Sequence, residues 1–155
     1  MKAHKITNPL AIGQVAPLII KFAQRVQETS GLFNGIVYES IYAYAARVAQ
    51  FGGDKAEFWV ALDGDKPVGF AIWRVMDLPH IGKVYCDALY NDTRNQKAIS
   101  GLYSEFIEFG KRHRALIYQF DAINEKVGEH FKHVLSKLGV ECVDSGAKNY
   151  IGRKV

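Results

Sequence analysis

The segment at residues 57–76 constrains the fold more than any other part of the sequence. Two apolar runs, EFWVAL at 57–62 and PVGFAIWRVM at 67–76, flank a turn that reads DGDK. An Asp-Gly turn between apolar runs is the strongest short-range signal for a β-hairpin, because glycine accepts the backbone angles of a tight turn. The sequence therefore predicts an antiparallel pair of strands at the centre of the fold.

Apolar residues at helical spacing predict two helices before this hairpin. Asn8 followed by Pro9 is typical of a helix start, with Asn as the N-cap and Pro in the first turn, and Gly31 follows the end of the pattern. A second helical pattern begins near Val37 and ends before Gly52.

Strands and helices alternate after the hairpin. KVYCDALY (83–90) and ALIYQFDA (115–122) are strand-like runs, and a helical pattern that ends near Arg112 lies between them. An amphipathic helix through Val127 and Leu138 comes next, and the last residues, VECVD and KNYIGRKV, suit a terminal hairpin. The sum is an α/β fold with one mixed sheet flanked by about four helices.

Length and composition indicate the number of domains, the absence of a disulfide framework and the expected location of the protein. The 155 residues suit a single domain spanning 1–155, and two cysteines are too few for a disulfide framework. The N-terminus does not resemble a signal peptide and no stretch approaches a membrane span, so we expect a cytoplasmic protein that is not bound to a membrane.

The net charge of +4 favours an anionic ligand without requiring nucleic acid. The densest basic cluster, Lys111 to Arg114, falls at the predicted end of a helix, where cations complement the helix dipole. Nucleic-acid binding is the alternative interpretation of that cluster, but the cluster lacks interleaved aromatic residues and the charge excess is small.

The order of these elements, with their local sequences, resembles the GNAT superfamily of acyl-CoA-dependent N-acetyltransferases. FWVALDGDKPVGFAIW is similar to the hairpin of the family's second and third strands, and Asn124 with the following helix and LGV (138–140) is similar to its "N…LGF" segment. The resemblance implies a mostly antiparallel twisted sheet with a splayed parallel pair of strands. It also implies acetyl transfer from acetyl-CoA to a primary amine of a small molecule or protein, without a metal.

The family's diagnostic motif, Q/R-x-x-G-x-G/A, opens the helix after the fourth strand, and its amides wrap the pyrophosphate of coenzyme A. Residues 91–102, NDTRNQKAISGL, occupy that place in this sequence. Amide groups at a helix start favour anions whatever their side chains, so a missing glycine limits the approach of the ligand without abolishing the site. The alternative interpretation is an ordinary polar helix start.

Two registers of the motif are possible. From Arg94, the glycine positions fall on Lys97 and Ile99, and only the arginine agrees. From Gln96, they fall on Ile99 and Gly101, so the first and last positions agree and this register is the better match. The basic side chains of Arg94 and Lys97 compensate in charge for the glycine that Ile99 replaces.

The coenzyme-binding residues implied by the resemblance lie on the fourth strand, on this helix start and just before the last helix. They are Ala88, Leu89, Arg94, Gln96, Lys97, Ala98, Ile99, Ser100, Gly101 and Asn124. Within this set, a backbone N–H near Ala88 or Leu89 would donate to the thioester oxygen as negative charge develops there.

Asp87 is the candidate base that removes a proton from the amine, because it is a charged residue within an otherwise apolar strand. Strand alternation is equally compatible with an Asp87 that only faces solvent, and Glu57 is a weaker candidate for the base. At the position of the family's proton-donating tyrosine the chain has Phe131, which suits core packing, and Tyr118 or His130 is the candidate replacement.

These departures leave a second hypothesis open, a catalytically inactive GNAT-fold module with a binding or structural role, such as occurs in phage genomes. Aromatic residues of the N-terminal helices, among them Tyr38, Tyr42 and Tyr44, occupy the region that shapes the acceptor pocket in the family. The acceptor itself is not identified by the sequence, and a homodimer is an open possibility.

Overall fold

The computed structural model of the protein describes residues 2–30, 37–78, 81–93, 96–121 and 125–146. Five strands form one sheet in the order β1-β2-β3-β4-β5. All neighbouring strands are antiparallel except β4 and β5, which are parallel. The strands are β1 (Lys2–Ile6), β2 (Ala56–Asp63), β3 (Lys66–Leu78), β4 (Ile81–Asn91) and β5 (Ile117–Phe120).

Helices cover both faces of this sheet. They are α1 (Ala16–Ser30), α2 (Val37–Phe51), α3 (Gln96–Arg112) and α4 (Glu125–Lys137), with a 3-10 helix at Pro9–Gln14. On one face, α1 and α2 pack on Phe58, Phe70 and Ile72 of β2 and β3. On the other face, α3 packs on Trp73 and Val84, and a smaller cluster joins α3 to α4. The predicted mixed sheet with flanking helices is confirmed.

The central hairpin forms as the sequence predicts. Asp63 pairs with Lys66 across the two-residue turn, and Gly64 in that turn has a φ of 61°. A side chain is disfavoured at such an angle, which explains the glycine. The apolar residues of the two strands then divide between the two faces of the sheet.

A β-bulge changes the direction of the side chains in the middle of β4. Ile72 of β3 pairs with Ala88 and Trp73 pairs with Cys86, so Asp87 is the additional residue on β4. Cys86 therefore faces α3, whereas Ala88 faces α1 and α2. Strict alternation would place these two side chains on the same face.

The structure differs from the sequence predictions at both ends of the chain. The strand β1 was not predicted, because KAHKI is short and mostly polar and is ordered by pairing with β2. Asn8 caps a helix as predicted, its side chain accepting a hydrogen bond from the Leu10 amide, but the capped helix is the 3-10 helix.

The predicted terminal hairpin is wrong in its first half, because residues 140–144 do not form a strand. This segment follows the turn at Gly139 and leaves both Glu141 and Val143 exposed. The second half, KNYIGRKV, lies outside the described residues.

Candidate functional site

The parallel strands β4 and β5 stay paired over a short distance only. Their pairing runs from Lys83 with Ile117 to Cys86 with Phe120. Beyond Cys86, β4 continues to Asn91 with β3 on one side, and no described strand pairs with its other side. The pairing of β4 with β5 therefore ends at the bulge, and Ala88 and Leu89 lie on β4 just beyond that point.

Asp87, at the bulge, is held in place by side chains of α2 and β3. The Tyr44 hydroxyl donates to Asp87 Oδ2 over 2.9 Å, and Arg74 Nε lies 3.1 Å from each carboxylate oxygen. The Asp87 side chain keeps 19% of its surface exposed. A carboxylate has about four acceptor positions, so one more donor can be accommodated.

The groups around Asp87 influence one another electrostatically. Burial, followed by the charge of Asp87 and its hydrogen bond, raises the pKa of Tyr44 to about 12. Burial acts to lower the pKa of Arg74, but the hydrogen bond and the charge of Asp87 outweigh it and the pKa is raised. Tyr44 is therefore a neutral donor and Arg74 a fixed cation at neutral pH.

A second carboxylate extends this polar cluster toward β5. The Tyr85 hydroxyl donates to Asp121 Oδ2 over 2.6 Å, and the Arg74 guanidinium lies 5.3 Å from the centre of the Tyr85 ring. Sequence reasoning missed Arg74, Tyr85 and Asp121. The signal for Arg74 was present, because it is the one charged residue in the run PVGFAIWRVM.

The helix α3 begins at Gln96, on the far side of the loop that follows β4. Lys21 of α1 anchors this loop by an ion pair of 2.6 Å with Asp92. The amides of the first three residues of an α-helix have no partner within it, so the described amides that can face an anion are those of residues 96–98.

The side chains of the first turns of α3 divide between solvent and core. Gln96 and Lys97 are exposed, Ser100 and Gly101 are half-buried, and Ala98 and Ile99 are buried. The Ile99 side chain packs between α3 and α4 and thus points away from solvent. Two further predicted coenzyme-binding residues, Arg94 and Asn124, lie outside the described residues.

The two candidate proton donors, Tyr118 and His130, and Phe131, which has the place of the family's tyrosine in the sequence comparison, lie in different surroundings. Phe131 is buried against Tyr103 and Phe120, as expected for a core residue. The Tyr118 hydroxyl donates to the Ile107 carbonyl of α3 over 3.3 Å, and its ring lies against Gly110, where any Cβ would clash. His130 is half-buried on α4.

Glu57, the weaker candidate for the base, lies on the opposite face of the sheet from Asp87. Its buried carboxylate accepts hydrogen bonds from Trp59, Trp73, Lys5 and Arg112. Burial acts to raise its pKa, but the hydrogen bonds from Trp59 and Lys5 and the nearby charges lower it. Glu57 is therefore a structural anion with no free position for a substrate proton.

The residues that the structure describes include no group of three or more His, Cys, Asp or Glu side chains that would hold a metal ion. Among the helices of the described part of the chain, none has the length and apolar character needed to span a bilayer.

Comparison with solved structures identifies the fold. A ribosomal-protein-alanine N-acetyltransferase from Brucella melitensis biovar Abortus 2308 matches with a TM-score of 0.70 and 14% identity, over 99% of this chain and 100% of that one. An aminoglycoside acetyltransferase from an uncultured soil metagenomic sample, in complex with sisomicin, matches with a TM-score of 0.68 and 16% identity, over 99% and 96%. AAC(6')-Iy in complex with the bisubstrate analogue CoA-S-monomethyl-acetylneamine matches with a TM-score of 0.65 and 12% identity, over 99% and 98%.

These three matches span nearly the whole of each chain, so the likeness is one of complete folds. This chain therefore shares its fold with these acetyltransferases. It is the GNAT fold, as the sequence predicted. By sequence alone, no protein-family model and no curated protein matches the chain.

Proposed function

We propose that this protein is an N-acetyltransferase that transfers an acetyl group from acetyl-CoA to a primary amine of a small molecule or protein. The observation that carries the proposal is the end of the β4–β5 pairing at the bulge, where the Asp87 carboxylate lies, with the start of α3 following β4 along the chain. Beyond Cys86 no described strand pairs with the side of β4 that faces away from β3, and we infer that an extended ligand arm lies along that side.

The start of α3 supplies the anion site for coenzyme A. Backbone amides of residues 96–98 face the phosphates, and Lys97 adds positive charge beside them. The Ile99 side chain does not block the start of α3, because it is buried between α3 and α4. The amides of Ala88 and Leu89, on the open stretch of β4, are the candidates that donate to the thioester oxygen.

Asp87 is the group that receives the amine. An ammonium donates to its free acceptor position, and the carboxylate then takes a proton, directly or through a water molecule. The amine nitrogen bonds to the thioester carbon, the carbon–sulfur bond breaks, and the electron pair stays on sulfur. The nitrogen loses its second proton as the amide forms, the thiolate takes up a proton, and Asp87 returns its proton to solvent. Tyr44 and Arg74 hold the carboxylate in place throughout.

Calorimetric titration with acetyl-CoA, followed by turnover on a panel of primary amines, tests the proposal. We expect binding in the micromolar range, which corresponds to about −8 kcal/mol, and release of free thiol that depends on the amine. Absence of heat and of any thermal shift at millimolar acetyl-CoA would contradict the proposal.

The substitution Asp87→Asn tests whether the Asp87 carboxylate acts in catalysis or only supports the fold. The exposed turn residue Asp65 provides a matched control, Asp65→Asn. We expect Asp87→Asn to lower kcat/KM for the amine by about a hundredfold or more while acetyl-CoA affinity is kept, and Asp65→Asn to change neither. Binding of acetyl-CoA without turnover on any amine would favour the catalytically inactive module instead.

A further inference from the structure

Asp121 lies beside Asp87 at the end of the pairing between the parallel strands. Cys86 and Phe120 form the last pair of β4 and β5. The residue that follows this pair is an aspartate on both segments, Asp87 on β4 and Asp121 directly after β5. Neighbouring strands lie about 4.8 Å apart, so the register brings two carboxyl groups to the same end of the pair.

Contacts between side chains place both carboxylates on the face of the sheet where α2 lies. Arg74 binds the Asp87 carboxylate, and Tyr44 of α2 donates to the same group. Tyr85, the cross-strand neighbour of Arg74, donates its hydroxyl to Asp121 over 2.6 Å. The two carboxylates therefore belong to one polar cluster, and this cluster contains the base of the proposed reaction.

The charges of the cluster are not balanced at its β5 end. Arg74 lies 3.1 Å from both oxygens of Asp87 and compensates that charge. Asp121 receives only a neutral phenol from Tyr85, whose pKa is raised by burial and then by the hydrogen bond and charge of Asp121. Arg47, a further cation, acts on the α2 end of the cluster. Among the residues that the structure describes, one negative charge thus remains at Asp121.

Asp121 is accessible to a ligand and has room for one. The residue is exposed, and a carboxylate has about four acceptor positions, of which the Tyr85 hydroxyl occupies one. The bond from the half-buried Tyr85 also fixes the direction of the carboxylate. An ammonium group of a substrate can therefore donate to Asp121 without displacing this bond.

The reacting amine does not supply the missing positive charge throughout the reaction. Its nitrogen is an ammonium on arrival, because an alkylamine has a pKa near 10.4, but it becomes a neutral amide once the acetyl group is transferred. A second cationic group in the acceptor keeps its charge from start to finish. Such a group, paired with Asp121, holds the acceptor while Asp87 takes the proton of the reacting nitrogen.

We propose that Asp121 selects acceptors that carry a second cationic group, by pairing with that group while the reacting amine lies at Asp87. The inference rests on the proposed function and deepens it, because it narrows the acceptor from any primary amine to a diamine or polyamine. The spacer between the two nitrogens is short, since the strands that carry the two carboxylates lie about 4.8 Å apart.

The test compares two acceptors that differ in the second charge, the diamine putrescine and the monoamine butylamine, whose carbon chains are equally long. We expect wild type to prefer putrescine in kcat/KM beyond the statistical advantage of its two amines. We expect Asp121→Asn to lower the ratio of the two kcat/KM values about 5-fold, as for the loss of one exposed ion pair. Asp121→Glu keeps the charge and is expected to lower the ratio less.

The matched control is Asp65→Asn, an exposed aspartate of the hairpin turn, which is expected to leave the ratio unchanged. A merely structural role of Asp121 would lower turnover of both amines together, so an unchanged ratio in Asp121→Asn would overturn the inference. We also expect the preference of wild type for putrescine to fall as salt is added, because exposed ion pairs are screened. A preference that does not depend on salt would overturn the pairing of charges.

The outcomes distinguish this inference from the proposed function. Turnover of both amines without preference for the diamine would support the proposed function and overturn the inference. If wild type acetylates neither amine, the proposed function fails for these acceptors, and calorimetric binding of putrescine in the presence of coenzyme A decides the inference. Binding weakened about 5-fold in Asp121→Asn would then support it, and absent or unchanged binding would overturn it.

Discussion

Single residues decide which groups the start of α3 offers to the proposed coenzyme. The structure places Ile99 in the core and gives Gly101 a position beyond the first turn, where its amide is bonded within the helix. The amides without a partner within the helix are those of residues 96–98, and these are shared by both registers of the motif. The proposed anion site therefore needs no glycine at position 101.

Gly101→Ala tests this conclusion. A Cβ built at Gly101 meets no atom within 4 Å, and alanine is the better helix former by about 1 kcal/mol. We expect the free energy of unfolding, measured with denaturant, to rise by about that amount and acetyl-CoA affinity to stay unchanged. A marked loss of affinity would instead show that the coenzyme approaches Gly101, as the register from Gln96 implies.

Secondary-structure elements are tied together on the α3 side of the sheet by Glu57. Its carboxylate joins β2 to the side chain of Lys5 on β1 and to that of Arg112 at the end of α3. Two tryptophan N–H groups complete its hydrogen bonds. The basic cluster at the end of α3 thus contributes to structure, since Arg112 pairs with Glu57 and Lys111 pairs with Glu108.

Glu57→Gln is expected to lower the free energy of unfolding at neutral pH by roughly 3 kcal/mol, since it leaves Lys5 and Arg112 facing a neutral amide. The partly exposed partners keep the effect at the lower end of the range for buried pairs. Because folding lowers the pKa of Glu57 below 4.5, this stabilisation is present above pH 4.5 and is lost as the pH falls through the folded pKa.

Denaturant unfolding of wild type and Glu57→Gln across the acid range measures both effects. The control is Glu108→Gln, which removes an exposed pair with Lys111 and is expected to change the free energy of unfolding by less than about 1 kcal/mol. If the difference in free energy of unfolding between wild type and Glu57→Gln did not shrink at low pH, the charge of Glu57 would not be the source of the stabilisation.

At the scale of the whole molecule, one sheet carries core clusters on both of its faces. Strands β2, β3 and β4 contribute side chains to the cluster under α1 and α2 and to the cluster under α3. Loss of either helical layer exposes the same strands. We therefore keep the prediction of a single cooperative domain.

Unfolding followed by two probes tests this prediction. Trp59 and Trp73 both belong to the α3 side of the sheet, so tryptophan fluorescence reports on that layer, while far-ultraviolet circular dichroism also reports on α1 and α2. We expect the two transitions to coincide. A fluorescence transition separated from the dichroism transition would show that the two layers unfold independently.

The sequence alone predicted the elements that local physics specifies. The hairpin follows from an Asp-Gly turn between apolar runs, and α3 and α4 follow from apolar residues at helical spacing. The order of these elements was enough to indicate the GNAT fold. Both Asp87 and the helix start after β4 were visible as candidates, because a charge within an apolar strand and a polar helix start are local features.

The tertiary structure decided what depends on pairing between distant segments. The strand β1 exists because β2 offers it an edge, and the bulge that aims Asp87 arises from the register between β3 and β4. Tyr44 lies 43 residues from Asp87 in sequence, and only packing of α2 on the sheet brings them together. The Tyr103 hydroxyl of α3 is buried without a hydrogen-bond partner among the described residues, and this too depends on every segment packed around it.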